Sequence, residues 1–203
     1  MIPIVSYYSP DYYDYAKRLI ESLDKWGIPQ TERLIEPVKP FKSWKEGVSS
    51  KPEFLRRILA LFSNEPGVLW VDADAYAVAP IPFDQLLGDF SATLFQWSQH
   101  HAMEILTGTM YLRNCPPVHA MLDEWIRTVG NFSYSDTPEQ EALKPLINQV
   151  IFSPLPMPWT FIDDDLVREQ YPDVKPIFLH THFIFHFPPQ DCHTIINSAC
   201  KRR

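Results

Sequence analysis

Apolar residues along the chain fall into two alternating spacings, which predict a series of strands and helices. Ile2 to Tyr7 is a short β-rich run ending before Ser9 and Pro10. Asp11 to Trp26 then carries Tyr12, Tyr15, Ala16, Leu19, Ile20 and Leu23 at the spacing of one helix face. Gly27 closes that helix and Pro29 prevents its continuation. Thr31 to Val38 reads as a second strand, and residues 42 to 50 read as a loop. Pro52 suits the first turn of a helix over Glu53 to Phe62, with Phe54, Leu55, Ile58, Leu59 and Phe62 on one face. After a turn at Asn64 to Gly67, Val68 to Val71 is a continuous apolar run, the pattern of a strand covered on both faces.

Ala92 to Gln96 and Thr109 to Leu112 predict further strands. Val118 to Val129 and Thr137 or Pro138 to Leu146 predict helices. The repeated strand and helix pattern implies an α/β layered fold, a central and mostly parallel sheet flanked by helices. Beyond Gln149 the chain turns rich in proline and aromatic residues, with seven Pro between 154 and 189. With no linker or repeat in sight, the chain reads as a single domain over 1–203, its end wrapping back and Lys201 to Arg203 forming a solvated tail.

Composition narrows the functions. At 203 residues and 45% hydrophobic content the chain has one sizeable core, and about 70% of its unfolded surface is expected to be buried. Eighteen Lys plus Arg against 25 Asp plus Glu leave a net charge of −7. That balance argues against a nucleic-acid groove, and a polyanionic ligand would need a local positive site or a metal ion. The six glycines, at 27, 47, 67, 88, 108 and 130, never fall within nineteen residues of one another. This excludes the clustered-glycine dinucleotide fingerprint, the P-loop and the nucleophile elbow. Three cysteines (115, 192, 200) without a C-x-x-C pair fit a reducing, cytoplasmic setting. The N-terminus reads as a strand and not a signal peptide, and no apolar run approaches the ~18 residues of a membrane span.

Asp72 and Asp74, directly after the apolar run, are the sharpest chemical feature. On an extended strand, residues i and i+2 share a face with Cα atoms ~6.6 Å apart. Two like charges 4 Å apart at an effective dielectric near 20 repel by about 4 kcal/mol, so a divalent cation is the simplest neutraliser. Oxygen ligands favour Mg²⁺, Mn²⁺ or Ca²⁺. Taken alone, such a pair is equally a solvated turn after a buried strand. Between Lys42 and Arg57 stand five basic residues against two acidic ones, a patch suited to a diphosphate or else a solvated helix face.

Lys51 to Leu55, a helix, and then the stretch Val68 to Asp74 together resemble glycosyltransferases of the GT-A fold, above all the glycogenin-like and bacterial galactosyltransferase-like group. The resemblance implies a GT-A-like fold. It implies that Asp72 and Asp74 hold a Mn²⁺ (or Mg²⁺) bridging the diphosphate of a UDP- or GDP-sugar, and that Lys51 binds the donor. On that reading residues 1–130 form the nucleotide-sugar and metal part, and 131–203 the acceptor side, the acceptor being an unspecified sugar, lipid or protein. Leu106 to Leu112 resembles the strand whose glycine approaches the donor sugar, which gives Gly108 and Thr109 donor-side roles, although Leu106 or Thr107 replaces the group's Asn. Glu139 to Leu143 resembles the group's Asp-Gln-Asp-x-Leu, whose first two residues lie beside the sugar and the acceptor. This marks Glu139 and Gln140 as catalytic candidates; Thr137 and Pro138 are also simply a good helix start.

Ile177 to Phe187, taken as a strand, puts His180, His182 and His186 on one face. The resemblance makes His180 the third metal ligand, with His182 the close alternative; His186 and His193 read as structural. A separate three-His zinc site is disfavoured because same-face strand residues line an edge and do not surround an ion. Asp163 to Asp165 reads as an acidic helix N-terminus. Tyr7 and Tyr8 end the first strand where the fold holds the nucleotide base, so Tyr7 is a stacking candidate. Two rivals stand beside the transferase: a haloacid-dehalogenase-type phosphatase, whose motif lies on a first strand and wants Thr or Val where Tyr76 stands, and a non-catalytic sugar-nucleotide-binding relative.

Overall fold

The computed structural model describes residues 2–96 and 102–181. Among these, β1 (Ile4–Tyr8), β2 (Arg33–Pro37), β3 (Gly67–Val71), β5 (Phe90–Phe95) and β6 (Glu104–Arg113) form a sheet in the order β2-β1-β3-β6-β5. β1 pairs in parallel with β2 and β3, while β6 runs antiparallel to both β3 and β5. Four of the five strands therefore point the same way and β6 alone is reversed. A second sheet, in the order β4-β8-β7, joins β4 (Ala75–Ala77), β8 (Phe178–His180) and β7 (Phe161–Ile162).

β3 is buried at all five positions, as its unbroken apolar run requires. Val68 and Trp70 enter a cluster with α3 (Lys51–Leu61), α4 (Pro116–Val129) and α5 (Pro138–Leu143), through Leu55, Ile58, Met121, Trp125 and Leu143. Leu69 and Val71 face the opposite cluster with Leu19 and Leu23 of α1 (Tyr13–Lys25), Ala75, Trp159 and Phe178. Residues before and after position 130 thus share both cores.

α1 ends as its sequence dictates. Gly27 takes φ +75°, its N–H reaches the Asp24 carbonyl, and the Ile28 N–H reaches Leu23 O, a left-handed glycine cap. The segment 42–50 is not a loop: α2 (Trp44–Ser49) begins there. Ser43 Oγ accepts from Glu46 N at 3.2 Å, and the Glu46 carboxylate accepts from Lys42 N, a near capping box. α6 (Asp165–Gln170) starts at the acidic stretch 163–165, where Arg168 pairs with Asp163. His182, His186, His193 and the tail 201–203 lie outside the described residues.

Candidate active site

β3 ends in the acidic pair, but Asp72 and Asp74 do not sit on an extended strand. The Ala75 N–H donates to Asp72 O at 3.0 Å, so residues 72–75 make a tight turn with buried Ala73 at its centre. Folding back and not strand pleating brings the two carboxylates to one place. β4 then leaves the turn and pairs antiparallel with β8, with Ala75 opposite His180. The Thr181 hydroxyl donates to Asp74 O at 3.0 Å and fastens the end of β8 to the turn. Two segments a hundred residues apart thereby deliver Asp72, Asp74 and His180 with one ligand atom each, all within 4.8 Å of one another. Two carboxylates and an imidazole at that spacing fit a divalent cation.

The imidazole is buried. Burial pushes its pKa down to about 4, so the ring is neutral at pH 7 and its 3.9 Å approach of Nδ1 to Asp74 is no ion pair. Nε2 lies 3.1 Å from the Thr109 hydroxyl. With Nε2–H donating to Thr109 Oγ1, Nδ1 keeps its lone pair toward Asp74, the protonation state a metal ligand needs. Gly108 makes room for this ring: a β-carbon there would lie 2.8 Å from His180 Cε1 and 3.0 Å from Nδ1. The space where a side chain at this position would stand is thus taken by the His180 ring, while Gly108 itself lines the cleft.

Lys51 is almost wholly buried, and its ammonium has three protein acceptors: Asp72 Oδ1 at 3.0 Å, Thr107 O at 3.2 Å and Thr107 Oγ1 at 3.3 Å. Its charge is directed at Asp72. Thr107 Oγ1 donates in turn to Glu139 Oε1 at 3.1 Å, while the buried Oε2 of Glu139 has no hydrogen-bond partner among the described residues. Burial raises the Glu139 pKa, opposed by Lys51. The wider basic patch expected between Lys42 and Arg57 does not gather at the site. Arg56 pairs with Asp123 and Arg57 with Glu36, each at 2.8 Å, and Lys45 approaches Asp136 at 3.6 Å.

A cleft of about 670 Å³ opens over these groups. Tyr7, Lys51, Asp72, Asp74, Gly108, Glu139, Gln140 and His180 all line it, and Thr109 lies buried beside His180. Among the described residues its wall carries six carboxyl groups (Asp11, Asp72, Asp74, Glu104, Asp136, Glu139), of which Asp136 is approached from outside by Lys45, and the ammonium of Lys51. Tyr7 does not present a free phenol: its hydroxyl donates to Gly47 O at 2.6 Å and accepts from Ser50 Oγ at 3.2 Å, tying β1 to α2. Burial raises its pKa. Two contributors carry only local signals: Trp70 lies two residues before Asp72, and α2 is announced by the Ser43 and Glu46 capping pair. Thr107, which stands at or beside the position of the group's Asn, is joined to Lys51 and Glu139 by long-range packing.

Fold and site define the chain as an α/β protein of the GT-A type with an acidic, cation-ready cleft at the end of its central strand. No family model matches the sequence, and a search of curated proteins finds no match. Solved structures do match. A glycosyltransferase involved in glycosylation of the major capsid of PBCV-1 aligns with TM-score 0.66 at 13% identity, over 90% of this chain and 94% of that one. The galactosyltransferase LgtC, in complex with donor and acceptor sugar analogues, aligns with TM-score 0.54 at 13% identity over 90% and 87%. The bifunctional glycosyltransferase WbbM aligns with TM-score 0.54 at 12% identity over 90% of this chain and 46% of its own length. At such identities the likeness is one of fold.

Proposed function

We propose that the protein is a metal-dependent glycosyltransferase that moves a sugar from a UDP- or GDP-sugar to an acceptor. The observation that carries this reading is the Asp72, Asp74 and His180 cluster in the wall of a cleft whose described lining residues are mainly acidic among the charged ones. A diphosphate entering that cleft alone meets net repulsion, so a bound divalent ion is what makes its binding favourable. Two carboxylates with one imidazole form a donor set softer than the usual magnesium site, which favours Mn²⁺ over Mg²⁺. When bound, the ion supplies Lewis-acid stabilisation of the departing diphosphate.

The chain's own groups do the rest. Asp72, Asp74 and neutral His180 hold the ion, Lys51 holds Asp72, and Thr109 and Gly108 seat the imidazole. Glu139 and Gln140 stand on the sugar and acceptor side, where the unpartnered Glu139 Oε2 is an acceptor ready for a hydroxyl. The fold shared with three glycosyltransferases favours this over a dehalogenase-type phosphatase. The cysteines fit a cytoplasmic setting, and no helix among the described residues is long and apolar enough to cross a membrane. The test is a panel of UDP- and GDP-sugars incubated with the protein and Mn²⁺, with release of UDP or GDP followed by chromatography. Release from at least one donor, abolished by EDTA and by Asp72→Asn with Asp74→Asn, is expected. No release from any donor, with or without an acceptor panel, contradicts transfer.

A further inference from the structure

Two donors converge on one oxygen of Asp72. The Trp70 indole N–H donates to Asp72 Oδ1 at 2.8 Å, and Lys51 Nζ lies 3.0 Å from the same atom. Among the described residues Oδ2 accepts nothing. Trp70 is itself 1% exposed in the middle of β3. Its ring packs against Tyr7 at 5.1 Å and Phe54 at 5.6 Å, and carries Lys51 Nζ 5.2 Å from its centroid. An indole in that position cannot swing, so the direction of its N–H is fixed by the core. Trp70 also orients the ammonium beside it through cation–π attraction.

We propose that Trp70 is a positioning residue for the cation site: with Lys51 it claims Oδ1 of Asp72, so the carboxylate offers Oδ2 to the ion and binds through one oxygen. The inference rests on the metal reading above and adds a residue outside the ligand set. A carboxylate already oriented before the ion arrives loses less freedom on binding than one that turns freely, so its partner contributes to affinity without touching metal. The position is also physically apt. Residues 70 and 72 share a face by strand alternation, so the core-packed ring lies directly behind the ligand.

The experiment is calorimetric titration of Mn²⁺ alone into wild type, Trp70→Phe and Phe54→Leu, with thermal unfolding of each metal-free protein. Trp70→Phe keeps an aromatic ring under Lys51 and loses the N–H. It is expected to weaken Mn²⁺ binding about tenfold or more. Phe54→Leu loosens the same ring cluster but keeps the indole N–H, and is expected to lower the melting temperature at least as much as Trp70→Phe while weakening Mn²⁺ binding clearly less. A loss of affinity that tracks melting temperature across both variants, or an unchanged affinity in Trp70→Phe, overturns the proposal. A wild-type protein that binds no Mn²⁺ overturns the metal reading itself, a different failure. If Trp70→Phe does not fold, wild type with ¹⁵N-labelled tryptophan serves instead. One indole N–H resonance must respond both to Asp72→Ala and to Mg²⁺; if no single resonance does, the proposal fails.

Discussion

The His180 ring occupies the space beside Gly108: a β-carbon on that glycine would stand 2.8 Å from Cε1, closer than such contacts are made. Thr160 Cγ2, at 3.2 Å from the same point, closes the other side. Gly108 is needed for the ring and not for backbone conformation, since its φ is not in the left-handed region.

Gly108→Ala is therefore expected to push the imidazole away from Asp74. Overpacking of this kind costs about 1–3 kcal/mol in stability. Mn²⁺ affinity should fall further than Asp74→Asn alone would explain if the ring leaves the site altogether. Chemical denaturation and metal titration of the variant check both effects, and unchanged Mn²⁺ affinity would show that the ring is not a ligand.

Acid should destabilise the metal-free protein through His180. Its folded pKa is depressed to about 4 from an ordinary value near 6.5. Between those values the unfolded chain binds a proton that the folded one refuses, so stability is full above about pH 6.5 and falls as pH drops toward 4. The integrated effect is on the order of 3 kcal/mol. Glu139 works in the opposite sense, because its raised pKa lets the folded state take up a proton first. The informative quantity is thus wild type minus His180→Asn, measured by urea unfolding from pH 7 to 4. A difference that does not change with pH contradicts the buried, neutral imidazole.

Lys51→Met removes the buried cation facing Asp72 and leaves the Thr107 and Glu139 acceptors beside it. Breaking a buried pair costs up to 3–5 kcal/mol, but Asp72 is about one-third exposed, so a loss of about 2 kcal/mol is expected. Mn²⁺ restores part of it by supplying positive charge to the same carboxylate. Thermal unfolding with and without Mn²⁺ measures that difference. A penalty that metal does not reduce would separate Lys51 from the cation site.

Much of the scaffold could be read from spacing. The run at 68–71 became β3, buried on both faces, and the 3.6-residue patterns at 11–26, 53–62 and 118–129 became α1, α3 and α4. Local apolar spacing reports on a strand or helix that packs along its whole length. It fails for α2, six residues long with little apolar face, which its Ser43 and Glu46 signal alone announces. It also fails for β4, three residues held by pairing with β8 from a distant part of the chain. In the site, residue type pointed to Asp72 and Asp74, and the GT-A resemblance to His180 with His182 as its alternative. Their meeting depends on the turn at 72–75, which no apolar spacing announces, and on the Ala75 to His180 register, a long-range fact. The same limit applies to Lys51: its charge is legible in the sequence, while its burial and its contacts with Asp72 and Thr107 are set by long-range packing.

The most direct measurement is calorimetric titration of Mn²⁺ into the wild-type protein and into Asp72→Asn with Asp74→Asn, each with and without UDP and GDP. Expected is one ion per chain in wild type, bound more tightly when a nucleoside diphosphate is present, with both effects lost in the double variant. A wild-type protein that ignores Mn²⁺, or a double variant that binds ion and nucleotide as wild type does, would contradict a cation held between these two acids.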